Sequence, residues 1–330
     1  MAKNPTMIDV AAEAGVALKT VSRYVNGATN INPEMAARIT ASIAKLGYRR
    51  NLAAASIRPG WTSKTIGLLI SDLANPYYSS IARAVEARFR DAGYLLLTAS
   101  SEEDGQTHDR LVDSMFERQV DAVLIVPPRV TARPWSQVPT PHPPVVFLDR
   151  PAPLEGADSI IADNRGGALE AVDLLRSTSE HVAFVGDALS IYTMQERYLG
   201  YGDALRRRGE QVDPALVRTS AHSVDDARES VRTLIDDGRA TAVFAANNRA
   251  TIGSLRAFGD TGTRLPLIGF DDFEAATVVS PGVSVVSQDT TAMGTLAADV
   301  VLQRLRGEGP AHARLELLPT RLVLRGSERA

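Results

Sequence analysis

Five polar residues, Lys19, Thr20, Ser22, Arg23 and Asn26, are left on the outward side of the stretch TMIDVAAEAGVALKTVSRYVNG, which runs from Thr6 to Gly27. Each can hydrogen-bond a phosphate oxygen or a base edge, so their shared chemistry is recognition of a nucleic acid. The alternative for a polar helix face is plain solvation. Charge decides between the two. Up to Lys64 there are nine Lys/Arg against three Asp/Glu, a net of +6, whereas the whole chain is −3, which leaves −9 for the rest. A basic head on an acidic body is the asymmetry of a nucleic-acid reader. Catalytic patterns are missing. The sequence has no GxSxG, no GxxxxGK[ST], no HExxH and no GxGxxG after a strand. His108, His142, His181, His222 and His312 have no metal-ligand spacing, and without cysteine there are no disulfides, thiolate sites or cysteine nucleophiles. Neither a metal nor a cofactor is expected.

The elements that must position the polar face are short helices. Thr6 is a natural N-cap, with Asp9 completing a capping-box-like pair, and Met7, Val10, Ala11 and Ala14 recur at helical spacing. Gly15 supplies a backbone tolerant of positive φ for the turn, and a second helix follows from about Leu18 to Val25, with Val21 and Val25 inward. A third helix is predicted over Pro33 to Leu46, capped by Asn32 and ended by Gly47, with Ala36, Ile39, Ile43 and Leu46 as its apolar stripe. The Ala-rich NLAAASIR (51–58) is too short for a stable lone helix and is stopped by Pro59-Gly60.

From Thr65 the pattern becomes alternating apolar strands and helices. Strands are predicted at 65–71, 94–100, 121–126, 144–149, 181–186, 215–220, 242–247, 265–270 and 283–288, with two more near the end. Helices are predicted between most of them, and Pro127 to Pro144 reads as a surface loop. Buried strands alternating with helices mean parallel sheets, and a break near Asp163 means two doubly wound lobes with a ligand cleft at the strand ends. The expected fold class is a small all-α helix-turn-helix head plus an α/β core of two doubly wound parallel-sheet lobes. Its parts are a head at 1–50, a linker at 51–64 and a core at 65–330. The N-lobe takes about 65–162 plus 290–318, and the C-lobe about 163–289 plus 319–330. With 330 residues, 44% apolar and 23% charged, no membrane-length apolar run and no h-region at the start, a soluble cytoplasmic protein is expected.

The motifs IDVAAEAGVALKTVSRYVNG, NLAAASIR, IGLLISDLANPYY, VDAVLIVPP, FLDR, ERYLGY, FAANN and IGFDD, in this order, resemble the LacI/GalR family of bacterial transcription regulators across essentially the whole chain. The lobes alone also resemble periplasmic sugar-binding proteins, so the core is periplasmic-binding-protein-like; the basic head separates the two. The resemblance implies a repressor of carbohydrate-utilisation genes that binds palindromic operator DNA as a homodimer and responds to a sugar or sugar derivative. A nucleoside- or nucleobase-responsive member of the family is the alternative, and a sugar-binding or sugar-processing protein a more distant one.

On the DNA side the resemblance implies Leu18, Lys19 and Arg23 as base readers. It implies Thr20, Ser22, Asn26 and Asn30 as phosphate contacts and Thr6 as a further member of the DNA-facing set. Asn51, Ala54 and Ile57 fall on the hinge, with Ile57 on the leucine that wedges into the minor groove. The chain departs from the family at Ile57, at Arg50 where a proline is common, and at Ala17, which replaces a capping Ser/Thr. On the effector side the resemblance implies Asp72, Tyr77, Asp149, Arg150, Tyr192, Arg197, His222, Asn247, Asp271 and Gln288. Asn248, where the family usually has Asp, is a candidate cap for the next helix, and Asp272 is open to either a turn-capping or a ligand role.

Overall fold

Helix α1 (Met7–Ala14) starts where the Thr6 hydroxyl accepts from the Asp9 amide and the Asp9 carboxylate accepts from the Thr6 amide at 2.7 Å. This reciprocal box satisfies two end groups that the helix cannot. Gly15 closes α1 at φ 62°, a left-handed conformation that costs glycine nothing. Helix α2 (Leu18–Val25) begins at Ala17 with no side-chain cap. Helix α3 (Pro33–Leu46) begins at Asn32, whose side chain accepts from the Glu34 amide at 2.9 Å. Val10, Ala11, Ala14, Val21 and Ile39 form the small common core, and Tyr24 Oη lies 2.6 Å from Thr40 Oγ1, pinning α2 to α3.

The computed structural model describes residues 4–49, 62–310 and 312–329, and the chain divides after Ser63 into two units. Arg50, Asn51, Ala54 and Ile57, assigned to the hinge from the sequence, lie outside the described residues.

The second unit holds two six-stranded sheets. One runs β11 (Leu315–Leu318), β5 (Asp158–Ala162), β4 (Val145–Leu148), β3 (Ala122–Ile125), β1 (Thr65–Ile70), β2 (Leu95–Ser100), all parallel. The other runs β12 (Thr320–Val323), β10 (Ser284–Gln288), β9 (Leu267–Phe270), β8 (Ala242–Ala245), β6 (Val182–Val185), β7 (Val217–Arg218), parallel except for β12. The two orders match strand for strand, so β4 in one lobe corresponds to β9 in the other. The inner strands are buried on both faces because helices cover both sides. These helices are α4 (Pro76–Asp91), α5 (Gly105–Glu117), α6 (Asn164–Leu175), α7 (Tyr192–Arg207), α8 (Val224–Asp236), α9 (Asn248–Thr261) and α10 (Thr290–Arg306). Helix α10 lies directly on α4, with Gly294 at the contact: a Cβ there would meet Ala84 Cβ and Ile81 O at 2.8 Å.

The chain crosses between lobes three times, each time through one residue between elements: Asp163, Asp289 and Pro319. Asp163 and Asp289 also cap α6 and α10.

Three sequence expectations need correction. DSIIA forms β5, a strand the sequence reading passed over; Asp158 at its start is buried against Arg304 at 2.7 and 2.8 Å, a partner no local pattern announces. ALVRTS yields only the two-residue β7, because a 3-10 turn at Pro214–Leu216 uses its first residues. The Pro127 to Pro144 segment is not all surface: Trp135 and Val138 are buried with Phe147 and Met115.

Candidate functional site

The ends of β4 and β9 carry the central carboxylates. Asp149 and Asp271 follow these corresponding strands, and both have left-handed backbones, at φ 65° and 72°. Such residues are uncommon outside glycine, cost of order 1–3 kcal/mol in sparsely populated regions, and gather at ligand sites. Each is tied to the strand beside it: the Asp149 amide donates to Ile160 O at 2.9 Å and the Asp271 amide to Val286 O at 3.0 Å. Both side chains line the cleft between the lobes.

Each carboxylate has its own holders. Tyr77 and Tyr78, in the first turn of α4, donate to the two oxygens of Asp149 at 2.9 and 3.0 Å. The Tyr77 hydroxyl also lies 3.0 Å from Gln288 Oε1, so its single proton is shared between two acceptors. Burial, then the charge of Asp149, pushes both phenols above their ordinary range. Asp271 accepts from Gln288 Nε2 at 2.7 Å and from Arg197 at 3.3 Å. Burial raises its carboxyl above the usual range, and Arg197 opposes that rise. Arg197 is itself buried. It donates to Asn164 Oδ1 at 2.8 Å and Ala246 O at 2.7 Å, and its guanidinium lies 3.7 Å from the centre of the Phe270 ring. Arg150 is held by Glu103, whose two oxygens accept its two terminal nitrogens, and by Pro127 O at 2.7 Å. Burial works against the Glu103 carboxylate, yet Arg150 holds it below its ordinary value.

Contacts between protein groups already span the two lobes. Arg249, on α9, pairs with Asp72 after β1, and Asn248 Nδ2 donates to Asn75 Oδ1 at 2.7 Å.

Of the effector residues expected from the sequence, Asp72, Tyr77, Asp149, Arg150, Arg197, Asn247 and Asp271 line this space. Three do not. Gln288 stands behind Asp271 and Tyr77 as a bridge. Tyr192 is half-buried at the start of α7, where Ile191, Thr193 and Met194 line the cleft instead; neighbouring helix positions point about 100° apart. His222 is exposed and pairs with Asp187, which does line the space. The helix cap falls to Asn247 rather than Asn248, and both asparagines line the space. Asn247 caps α9 by accepting from the Ala250 amide at 2.7 Å, and Asn248 makes the contact across the cleft. Asp272 is not a turn cap but a bidentate partner of Arg325 at 2.9 and 2.8 Å. Tyr78, beside Tyr77 in the run after Asn75-Pro76, also lines the space. Glu103, in the acidic turn SEED, was missed and had no signal in the sequence.

On the head, Leu18, Lys19 and Arg23 are exposed along α2, Thr20 and Ser22 half-exposed, and Asn26 and Asn30 exposed beyond it. Arg23 donates to Asn30 Oδ1, which orients the guanidinium. Asn26 Nδ2 donates back to Ser22 O at 2.6 Å and so closes the helix. The Thr6 hydroxyl donates to Asp9 at 2.7 Å and caps α1.

Comparison with known proteins matches this architecture. The family model described as bacterial regulatory proteins, lacI family, matches residues 6–51, and that of a periplasmic binding protein-like domain matches residues 173–328. The ribose operon repressor of Escherichia coli K12 is 30% identical over 331 residues, 98% of this chain and 99% of the relative. Among solved structures, the lac repressor dimer bound to operator and an anti-inducer has a TM-score of 0.84 at 25% identity, covering 99% of this chain and 100% of that one. The transcriptional regulator CelR in complex with cellobiose has a TM-score of 0.72 at 28% identity, covering 98% and 100%.

Proposed function

Because the chain belongs to the lacI family of bacterial regulatory proteins, we propose that it represses transcription by binding operator DNA, under the control of a small sugar-like ligand in the inter-lobe cleft. The observation that carries this is one chain holding both an exposed Lys/Arg-bearing helix face and a cleft of strand-end carboxylates. Helix α2 enters the major groove, with Arg23 and Lys19 reading guanine acceptors and Leu18 making an apolar contact. A homodimer reads a palindrome, as two-fold symmetry requires.

The cleft carboxylates bind rather than catalyse. Asp149 is occupied by two phenols and Asp271 by Arg197 and Gln288, so neither is poised as a nucleophile or proton donor. Their remaining lone pairs suit ligand hydroxyls. A ligand that prefers one arrangement of the lobes shifts operator affinity by its differential affinity for the two states.

The DNA half of the proposal is tested with Arg23→Ala in an anisotropy titration against operator and random duplexes. Loss of a guanine contact should weaken operator binding by about 1–3 kcal/mol and leave random-sequence binding nearly unchanged. Equal losses on both duplexes would reject the reading of α2.

A further inference from the structure

The charges in the cleft neutralise one another before a ligand arrives. Resting on the reading of the cleft as an effector site, we propose that the effector is an uncharged, hydroxyl-rich molecule and that phosphorylated or carboxylated forms of it are excluded.

Two observations carry this. The first is net charge. Five carboxylates line the space, those of Asp72, Glu103, Asp149, Asp187 and Asp271, against three guanidiniums, those of Arg150, Arg197 and Arg249, a net of −2 with all ionised. No lysine or histidine is among the lining residues. The second is that each guanidinium is already paired with a carboxylate of the protein. Arg150 is clasped by Glu103 and Pro127 O, and its Nε, which has no hydrogen-bond partner, lies 3.8 Å from Asp149 Oδ2. Arg197 has a different acceptor for each of its three nitrogens. Arg249 donates to Asp72 and, at 3.4 Å, to His222 O. A phosphate dianion would have to break one of these pairs and then face the carboxylate it displaced, at short range in a partly desolvated site.

The hydrogen-bonding inventory points the same way. Asp149 and Asp271 offer unused lone pairs, and an ionised carboxylate only accepts. The occupant must therefore supply donors. A sugar ring brings several hydroxyls, whereas a phosphate brings only acceptors.

The test uses the full chain and calorimetric titration with matched probes: D-ribose against ribose 5-phosphate, and D-glucose against glucose 6-phosphate and glucuronate. Inorganic phosphate is compared with chloride at equal ionic strength. A neutral sugar that binds should do so at least about 100-fold more tightly than its phosphate ester. Inorganic phosphate should not compete with it. Glu103→Gln releases Arg150, and Asp72→Asn, a second variant at the cleft mouth, releases Arg249. Either should narrow the gap about tenfold. An ester that binds as tightly as its parent, or a gap unmoved in both folded variants, would overturn the charge argument. Absence of binding by every neutral sugar, with phosphate still excluded, would instead overturn the effector reading on which the proposal rests.

Discussion

Removing Arg197 should expose how much of the cleft depends on one guanidinium. Its side chain is 3% exposed, and truncation to alanine removes three hydrogen bonds, of 2.8, 2.7 and 3.3 Å, and the contact with Phe270. What remains is worse than a void. Asp271, 5% exposed, loses its countercharge, while Asn164 and Ala246 lose a donor each. Breaking a buried pair from one side costs about 3–5 kcal/mol, and we expect Arg197→Ala to fall in that range. The damage arises largely from the stranded carboxylate, so Asp271→Asn in the same chain should restore part of it. The double variant should be at least about 1 kcal/mol more stable than the sum of the single losses implies. Urea unfolding followed by circular dichroism measures all three variants. Strictly additive losses, or a cost for Arg197→Ala below about 1 kcal/mol, would show that the pair is not coupled and that the guanidinium does not organise this side of the cleft.

Two titratable groups in the same cleft should move stability in opposite directions. Glu103 is held by Arg150 below its ordinary value near 4.5, so its stabilisation is present above that value and is lost as pH falls through the lower folded pKa; Glu103→Gln should flatten this acid loss in a pH series of melting temperatures. Asp271 is raised above 3.8 by burial, so the folded state keeps its proton longer and stability falls as pH rises through the folded pKa; the cost of Asp271→Asn relative to the parent should be smallest at neutral pH and grow on acidification. A cost that shrinks toward acid would contradict the burial account.

The head was legible because its information is local. Thr6 with Asp9, Gly15, and Asn32 with Pro33 act within one turn; α1 begins and ends, and α3 begins, where those residues stand. The alternation of the core was also legible, since buried strands read as apolar runs. What failed depended on distant partners. β5 opens on an aspartate that is tolerable inside because Arg304 from α10 and the Arg314 amide both donate to it. Trp135 is drawn into a core completed by Phe147 and Met115. The cleft shows the same division. Asp149 and Asp271 follow apolar strands and could be marked. Which of Asn247 and Asn248 caps the helix, and which reaches the other lobe, is set by where α9 starts and by Asn75, 173 residues away. Gln288 was marked by the resemblance alone; that its two ends reach Asp271 and Tyr77 depends on residues far away in the sequence.

The central claim is that the cleft and the head share one equilibrium. It is tested by measuring operator affinity with and without a saturating cleft ligand, and ligand affinity with and without operator. The account predicts that both change by the same factor, with a coupling of about 1–3 kcal/mol in either direction, and that Asp271→Asn reduces it. An operator affinity that stays constant when the cleft is filled would contradict it.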